Sequence, residues 1–252
     1  MLIDSHCHLD AKWFANDIPA VIQNAKQNGI EAIITSSIDI TITKTKNIVD
    51  RYPNYVFWAL GLHPPGVNPQ NVKAIITLMK KHKAEIVAIG EVGLDYYWVK
   101  EENLREQQKD AFKNLINLAI ELDKPIVIHA RDAQTDTINI LEENNAENVL
   151  MHCFSGNEKE AKRIIHNKWL ISVPTSVVKR QVHQTMAKIV PLDLMLLETD
   201  APYLSPAKGR NEPANIRISA QKVAELKSVS FEEVARITTA NAQKFYRLDD
   251  KK

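Results

Sequence analysis

The sequence predicts one α/β domain spanning residues 1–252, built as a (β/α)8 barrel, and three observations carry that prediction. Short apolar runs alternate with longer amphipathic stretches along the whole chain, which is the pattern of a parallel sheet with crossover helices. Eight such runs occur, matching the strand number of a barrel. No internal repeat, low-complexity tract or Gly/Ser linker interrupts them. Periodicity does not report whether a sheet closes, so an open doubly wound sheet is the alternative.

In chain order the strands are "LIDSH", "EAIITSS", "YVFWALGLH", "EIVAIGEVG", "PIVIHA", "NVLMHCF", "WLISVP" and "LMLLETD". Helical spacing fills the gaps. In the longest, Leu104, Ala111, Leu115, Leu118 and Leu122 recur on one face while Glu101, Glu102, Lys109 and Lys113 take the other. Asp132 and Asn157 stand where two helices should start. The loose stretch "DAPYLSPAKGRNEPAN" reads as an active-site loop, not a domain boundary. Beyond it, "ISAQKVAELKSVS" and "SFEEVARITTANAQKFY" read as two closing helices.

With 44% hydrophobic and 25% charged residues, a sizeable core is readily buried. A formal net charge of +1 provides no global field for a polyanion, so any nucleic-acid contact must rest on a local basic cluster. That argues against a non-specific coat protein. Cys7 and Cys153 each adjoin a histidine and lack the spacing of a disulfide framework, which fits a reducing, intracellular setting. No run reaches bilayer-spanning length and the first residues lack a signal-peptide pattern, so the expectation is a soluble, cytoplasmic protein with no membrane partner.

Alternation in a strand puts His6 and His8 on one face and Cys7 on the other. Glu91, His129, His152 and Asp200 likewise end or follow predominantly apolar strands. A parallel barrel gathers these ends around one rim, where four imidazoles and two carboxylates suit divalent cations. Glu91, from a middle strand, is the natural bridging ligand. Burying Glu91 and Asp200 without a cation would cost several kcal/mol.

His63, in "GLHPP", is a contact for a substrate phosphate, an orienter of an attacking water, or a loop cap. Arg131, Lys208 and Arg210 are the candidate phosphate contacts, with solvated charges or salt bridges as the alternative. His82, His166 and His183 lie in polar helical stretches and are expected to face solvent, and Cys7 and Cys153 to pack behind the site. Trp13, Phe14, Tyr96, Tyr97 and Trp98 follow strands and either stack a base or pack beneath loops.

The motifs "DSHCHLD", "GLHP", "IGEVGLDYYW", "PIVIHAR", "HCFSG" and "LLETDAPYLSP", followed by "RNEPANI", resemble in order those of the TatD family of metal-dependent deoxyribonucleases over nearly the full chain. The resemblance implies a TIM barrel with two divalent cations, Mg, Mn or Zn, at the C-terminal rim. It implies His6, His8, Glu91 and Asp200 around one cation, and Glu91, His129 and His152 around the other. His63 matches a histidine near the substrate phosphate. The implied activity is 3′-5′ exonucleolytic hydrolysis of DNA, single-stranded or at 3′ ends. The mechanism expected of such a site is a metal-activated water whose proton passes to Asp200 or, second to it, Glu91. An alternative keeping the same centre is an esterase or amidohydrolase, such as a D-aminoacyl-tRNA deacylase. A catalytically silent metal-holding scaffold is the rival of another class. The sequence departs from the family pattern after the seventh strand, where "SVPTSVVKRQ" brings Pro174, Val177, Val178, Lys179 and Arg180 in place of a small-residue segment.

Overall fold

A computed structural model describes residues 1–251. All eight apolar runs become strands of one parallel sheet whose order follows the sequence: β1 (Leu2–Cys7), β2 (Ile30–Ser37), β3 (Val56–Leu60), β4 (Ile86–Asp95), β5 (Ile126–Arg131), β6 (Val149–Met151), β7 (Leu170–Pro174) and β8 (Met195–Glu198). The sheet curls until β8 meets β1. Across that seam the Asp200 N–H donates to the His6 carbonyl at 2.9 Å and the His8 N–H to the Ala201 carbonyl at 2.7 Å. Asp4 fastens the same seam, accepting from the Thr199 N–H at 2.8 Å and from its hydroxyl at 2.5 Å. These bonds make the sheet a (β/α)8 barrel and exclude the open alternative.

The helices are α1 (Ile18–Gln27), α2 (Thr43–Arg51), α3 (Pro69–Lys81), α4 (Glu102–Glu121), α5 (Gln134–Glu143), α6 (Glu158–His166), α7 (Gln181–Ile189), α8 (Ile216–Lys227) and α9 (Phe231–Tyr246). Asn157 caps α6 through a capping box with Glu160, as its position predicts. Asp132 does not cap α5; it takes a left-handed conformation and the helix starts two residues later. Leu104 belongs to the predicted apolar face but is exposed, because burial of α4 begins at Gln108, one turn further along.

Ile3, Ile34, Phe57, Val87, Val127, Leu150 and Leu196, from seven of the strands, form an inward-facing layer with Ala242 and Tyr246 of α9 beneath it. The Tyr246 hydroxyl donates to the Ser5 carbonyl at 2.8 Å, so α9 stoppers the end of the barrel opposite the site. Above this apolar floor the inward positions turn polar. In β1 the register slips between Asp4 and Cys7, which span three steps against two in β2. That bulge lets Ile3 and His6, which strict alternation would oppose, both face inward. Cys7 joins the outer core beneath the helices.

Several predicted strands run longer than the observed ladders. His63 lies beyond β3, His152 immediately beyond β6 and Asp200 two residues beyond β8. Backbone bonds hold them regardless, His63 N–H to the Ile38 carbonyl at 2.9 Å and His152 N–H to the Ile128 carbonyl at 3.1 Å. Among the described residues no helix is long and apolar enough to cross a membrane.

Candidate metal centre

Six side chains from five strand ends meet at the C-terminal rim, and the Glu91 carboxylate lies between them. Its Oε2 is 3.2 Å from His6 Nε2 and 3.6 Å from His8 Nε2. Its Oε1 is 2.7 Å from His129 Nδ1 and 3.5 Å from both His152 Nε2 and His63 Nε2. Asp200 Oδ1 closes the first group, 3.3 Å from His8 Nε2 and 3.9 Å from His6 Nε2. Each oxygen of one carboxylate thus serves a different set of imidazoles.

The electrostatics follow from this crowding. Burial pushes the Glu91 carboxyl up, but His152, His129 and His6 outweigh it and hold the group well below its usual range. Asp200 is held low in the same way, its burial overcome chiefly by His8. The imidazoles diverge because they cannot all be charged. His8 is raised to about 9, its burial overcome by Asp200 and Glu91. His6, buried and stacked on His152 with centroids 4.1 Å apart, is lowered by burial and by that neighbour. Burial pushes His63 down to about 4.

The donor set fits divalent cations by its own chemistry. His6 Nε2 and His8 Nε2 face each other at 3.3 Å with Glu91 and Asp200 oxygens beside them. One shared proton satisfies a single nitrogen pair, whereas a cation accepts lone pairs from all four groups. On the other side, Glu91, His129 and His152 offer the same opportunity.

Two carboxylates behind this shell were not singled out from the sequence. Asp95, at the end of β4, lies 2.9 Å from His129 Nε2 and fixes that ring with Nδ1 turned towards Glu91. Glu198, at the end of β8, lies 3.5 Å from His152 Nδ1, an ion-pair contact too long and poorly aligned for a hydrogen bond. The Ser172 hydroxyl anchors Glu198 at 2.6 Å. The available signal was position, since both acids end strands in the stretches that supply Glu91 and Asp200.

A cavity of about 530 Å³ opens onto the centre, lined by His8, His63, Glu91, His129, His152 and Asp200 and, further out, by Trp98, Arg131, Arg180 and Tyr203. Arg131, one of the three candidate phosphate contacts, lines this cavity, its guanidinium 3.8 Å from the Tyr97 ring centroid. Lys208 and Arg210 are not. Lys208 is exposed outside the lining, and Arg210 is held by Asp17 at 2.7 Å and Glu212 at 2.6 Å, so its charge is already answered.

Other expectations change as well. Cys153 lines the cavity instead of packing behind it, because its left-handed backbone breaks the alternation after β6. His82 is buried with Nδ1 2.7 Å from Glu85, and His183 is buried with Nδ1 2.8 Å from the Ser176 hydroxyl; only His166 of the three faces solvent. Phe14 is core and Tyr96 donates to Asp136, while Trp13, Tyr97 and Trp98 are exposed.

A family model described as TatD related DNase matches residues 3–247. The sequence is 38% identical to the uncharacterized metal-dependent hydrolase YabD of Bacillus subtilis, over 99% of this chain and 100% of that protein. It is 35% identical to human deoxyribonuclease TATDN3, over 97% of this chain and 94% of that protein. The crystal structure of YJJV, a TatD homolog from Escherichia coli, shares the fold with a TM-score of 0.88 at 24% identity, over 98% of each chain.

Proposed function

The chain belongs to the family of TatD-related DNases, and on that premise we propose that it is a metal-dependent hydrolase that cleaves phosphodiester bonds in DNA from the 3′ end. The observation that carries this reading is the division of Glu91, with Oε2 towards His6 and His8 and Oε1 towards His129 and His152. His6, His8, Glu91 and Asp200 would hold one divalent cation, and Glu91, His129 and His152 a second. Bound there, such cations supply a lowered water pKa and neutralisation of phosphate charge.

The chain's own groups do the rest. Asp200, whose side chain is 15% exposed at the cavity, stays ionised and takes the proton of the attacking water on its carboxylate, Oδ1 facing His6 and His8 and Oδ2 left as the acceptor. Glu91, 4% exposed, would hold a cation with each of its two oxygens. Asp95 orients the His129 ring from behind by a hydrogen bond at 2.9 Å, and Glu198 sets a negative charge 3.5 Å behind His152. His63, neutral and half-buried at the cavity wall, donates a hydrogen bond to a phosphate oxygen or accepts one from the water.

The test is digestion of end-labelled single-stranded DNA with Mg²⁺ or Mn²⁺ beside a Glu91→Ala, Asp200→Ala double variant. Wild-type protein should release the 3′ label first, and the variant should lose at least about 10³-fold in rate, the scale of removing an electrostatic centre. Absent cleavage, or equal cleavage by both proteins, contradicts the reading. Hydrolysis of an aminoacyl ester in place of DNA would favour the esterase alternative.

A further inference from the structure

The β7–α7 side of the cavity carries groups that the hydrolytic centre leaves unused. Arg180 immediately precedes α7 and lines the cavity, yet among the described residues no carboxylate lies within ion-pair distance of its guanidinium. His183, in the first turn of α7, lines the same wall and is buried, 1% exposed as a residue. The Ser176 hydroxyl occupies Nδ1 at 2.8 Å, and Nε2 has only the Cys153 sulfur, 4.0 Å away. When that hydroxyl donates, Nε2 keeps the ring proton and is a donor at the cavity wall.

From this arrangement we propose that Arg180 and His183 form a subsite for a second phosphate, the one next to the phosphate cleaved at Glu91, in an oligonucleotide chain. The inference rests on the phosphodiesterase reading and adds a specificity element to it. A guanidinium and a neutral imidazole N–H together match the charge and acceptor oxygens of a phosphodiester. Exposed aromatic rings in the same lining, Trp98 at 63% and Tyr203 at 52%, favour a nucleic-acid chain over a free phosphate, because bases stack on such faces. Arg131, its guanidinium 3.8 Å from the Tyr97 ring centroid and 5.6 Å from that of Trp98, lines the cavity too and adds a second positive charge for the strand. The basic pair that departs from the family pattern after β7 thereby gains one member with a role; Lys179 points elsewhere, to the Ser205 carbonyl at 3.4 Å.

The experiment compares wild type, Arg180→Ala, Arg180→Lys and His183→Asn on two substrates, bis(4-nitrophenyl) phosphate with one phosphate and a single-stranded hexanucleotide with several. Equilibrium binding of the hexanucleotide is followed by fluorescence anisotropy as a function of salt. Arg180→Ala should raise KM and Kd for the hexanucleotide about tenfold with kcat little changed, and leave the small diester within twofold. Its log Kd against log salt should be shallower by about 0.7. Arg180→Lys should recover part of the loss, and His183→Asn should show a smaller change in the same direction. Replacing the linkage next to the cleaved one by an uncharged methylphosphonate should weaken wild type but not Arg180→Ala. Unchanged hexanucleotide binding in Arg180→Ala, or equal losses on both substrates, overturns the proposal. If wild type hydrolyses neither substrate but binding still depends on Arg180, the catalytic reading falls and the subsite stands.

Discussion

Glu91 is buried yet ionised, because imidazoles surround both of its oxygens. The histidines in turn lean on acids behind them, so Asp95→Asn and Glu198→Gln should each weaken cation binding by about 10–100-fold without contacting the cation, measured by Mn²⁺ titration of chelator-treated protein. The candidate ligands that meet at the rim were legible in the sequence, since each ends or follows an apolar strand. Asp95 and Glu198 were not, because they act through a neighbouring ring. His82 and His183 were misread as solvent-facing because each sits in a polar stretch, and only the fold reveals Glu85 and Ser176 as their partners. His183 also predicts a pH effect. Burial lowers its pKa to about 4, so its contribution is fully present above the unfolded value near 6.5 and is lost as pH falls towards 4. His183→Asn should therefore flatten the acid limb of the denaturant-midpoint profile between pH 6.5 and 4.

Secondary-structure elements position these groups through close backbone approach. A Cβ on Gly61 would overlap the Glu91 backbone, and one on Gly93 would overlap the His129 carbonyl, so glycine lets β4 lie tight against its neighbours on both sides. Gly61→Ala should destabilise the fold by about 1–3 kcal/mol and also disturb cation binding, whereas Asn157→Ala, which removes the α6 cap, should lose about 1 kcal/mol and leave the site intact. Urea midpoints beside Mn²⁺ titrations separate the two effects. The cap was readable because Asn157 and Glu160 have the required spacing. The β1 bulge was not, since alternation counts residues and cannot show that one is extra. Asp200 shows the same limit, reaching the site from a left-handed turn beyond β8.

At the scale of the whole molecule, closure of the barrel is what converts six scattered residues into one centre, and the Asp4 and Thr199 seam completes the ring beside it. The eight-strand pattern was legible from the alternation of apolar runs; closure was not, because it depends on bonds between the first and last strands. On the proposed reading, a site that gathers Glu91 and Asp200 with four imidazoles ties folding to cation binding. At a cation concentration 100 times Kd, binding adds about 2.7 kcal/mol. Chelation should accordingly lower Tm by roughly 5–10 °C, read by calorimetry with and without EDTA followed by Mn²⁺. The most direct test of a carboxylate shared between two cations is the Mn²⁺ stoichiometry of chelator-treated wild-type and Glu91→Gln protein by isothermal titration. The account predicts two equivalents per chain for wild type and loss of tight binding at both sites in the variant. One equivalent in wild type, or one site retained unchanged in Glu91→Gln, would contradict it.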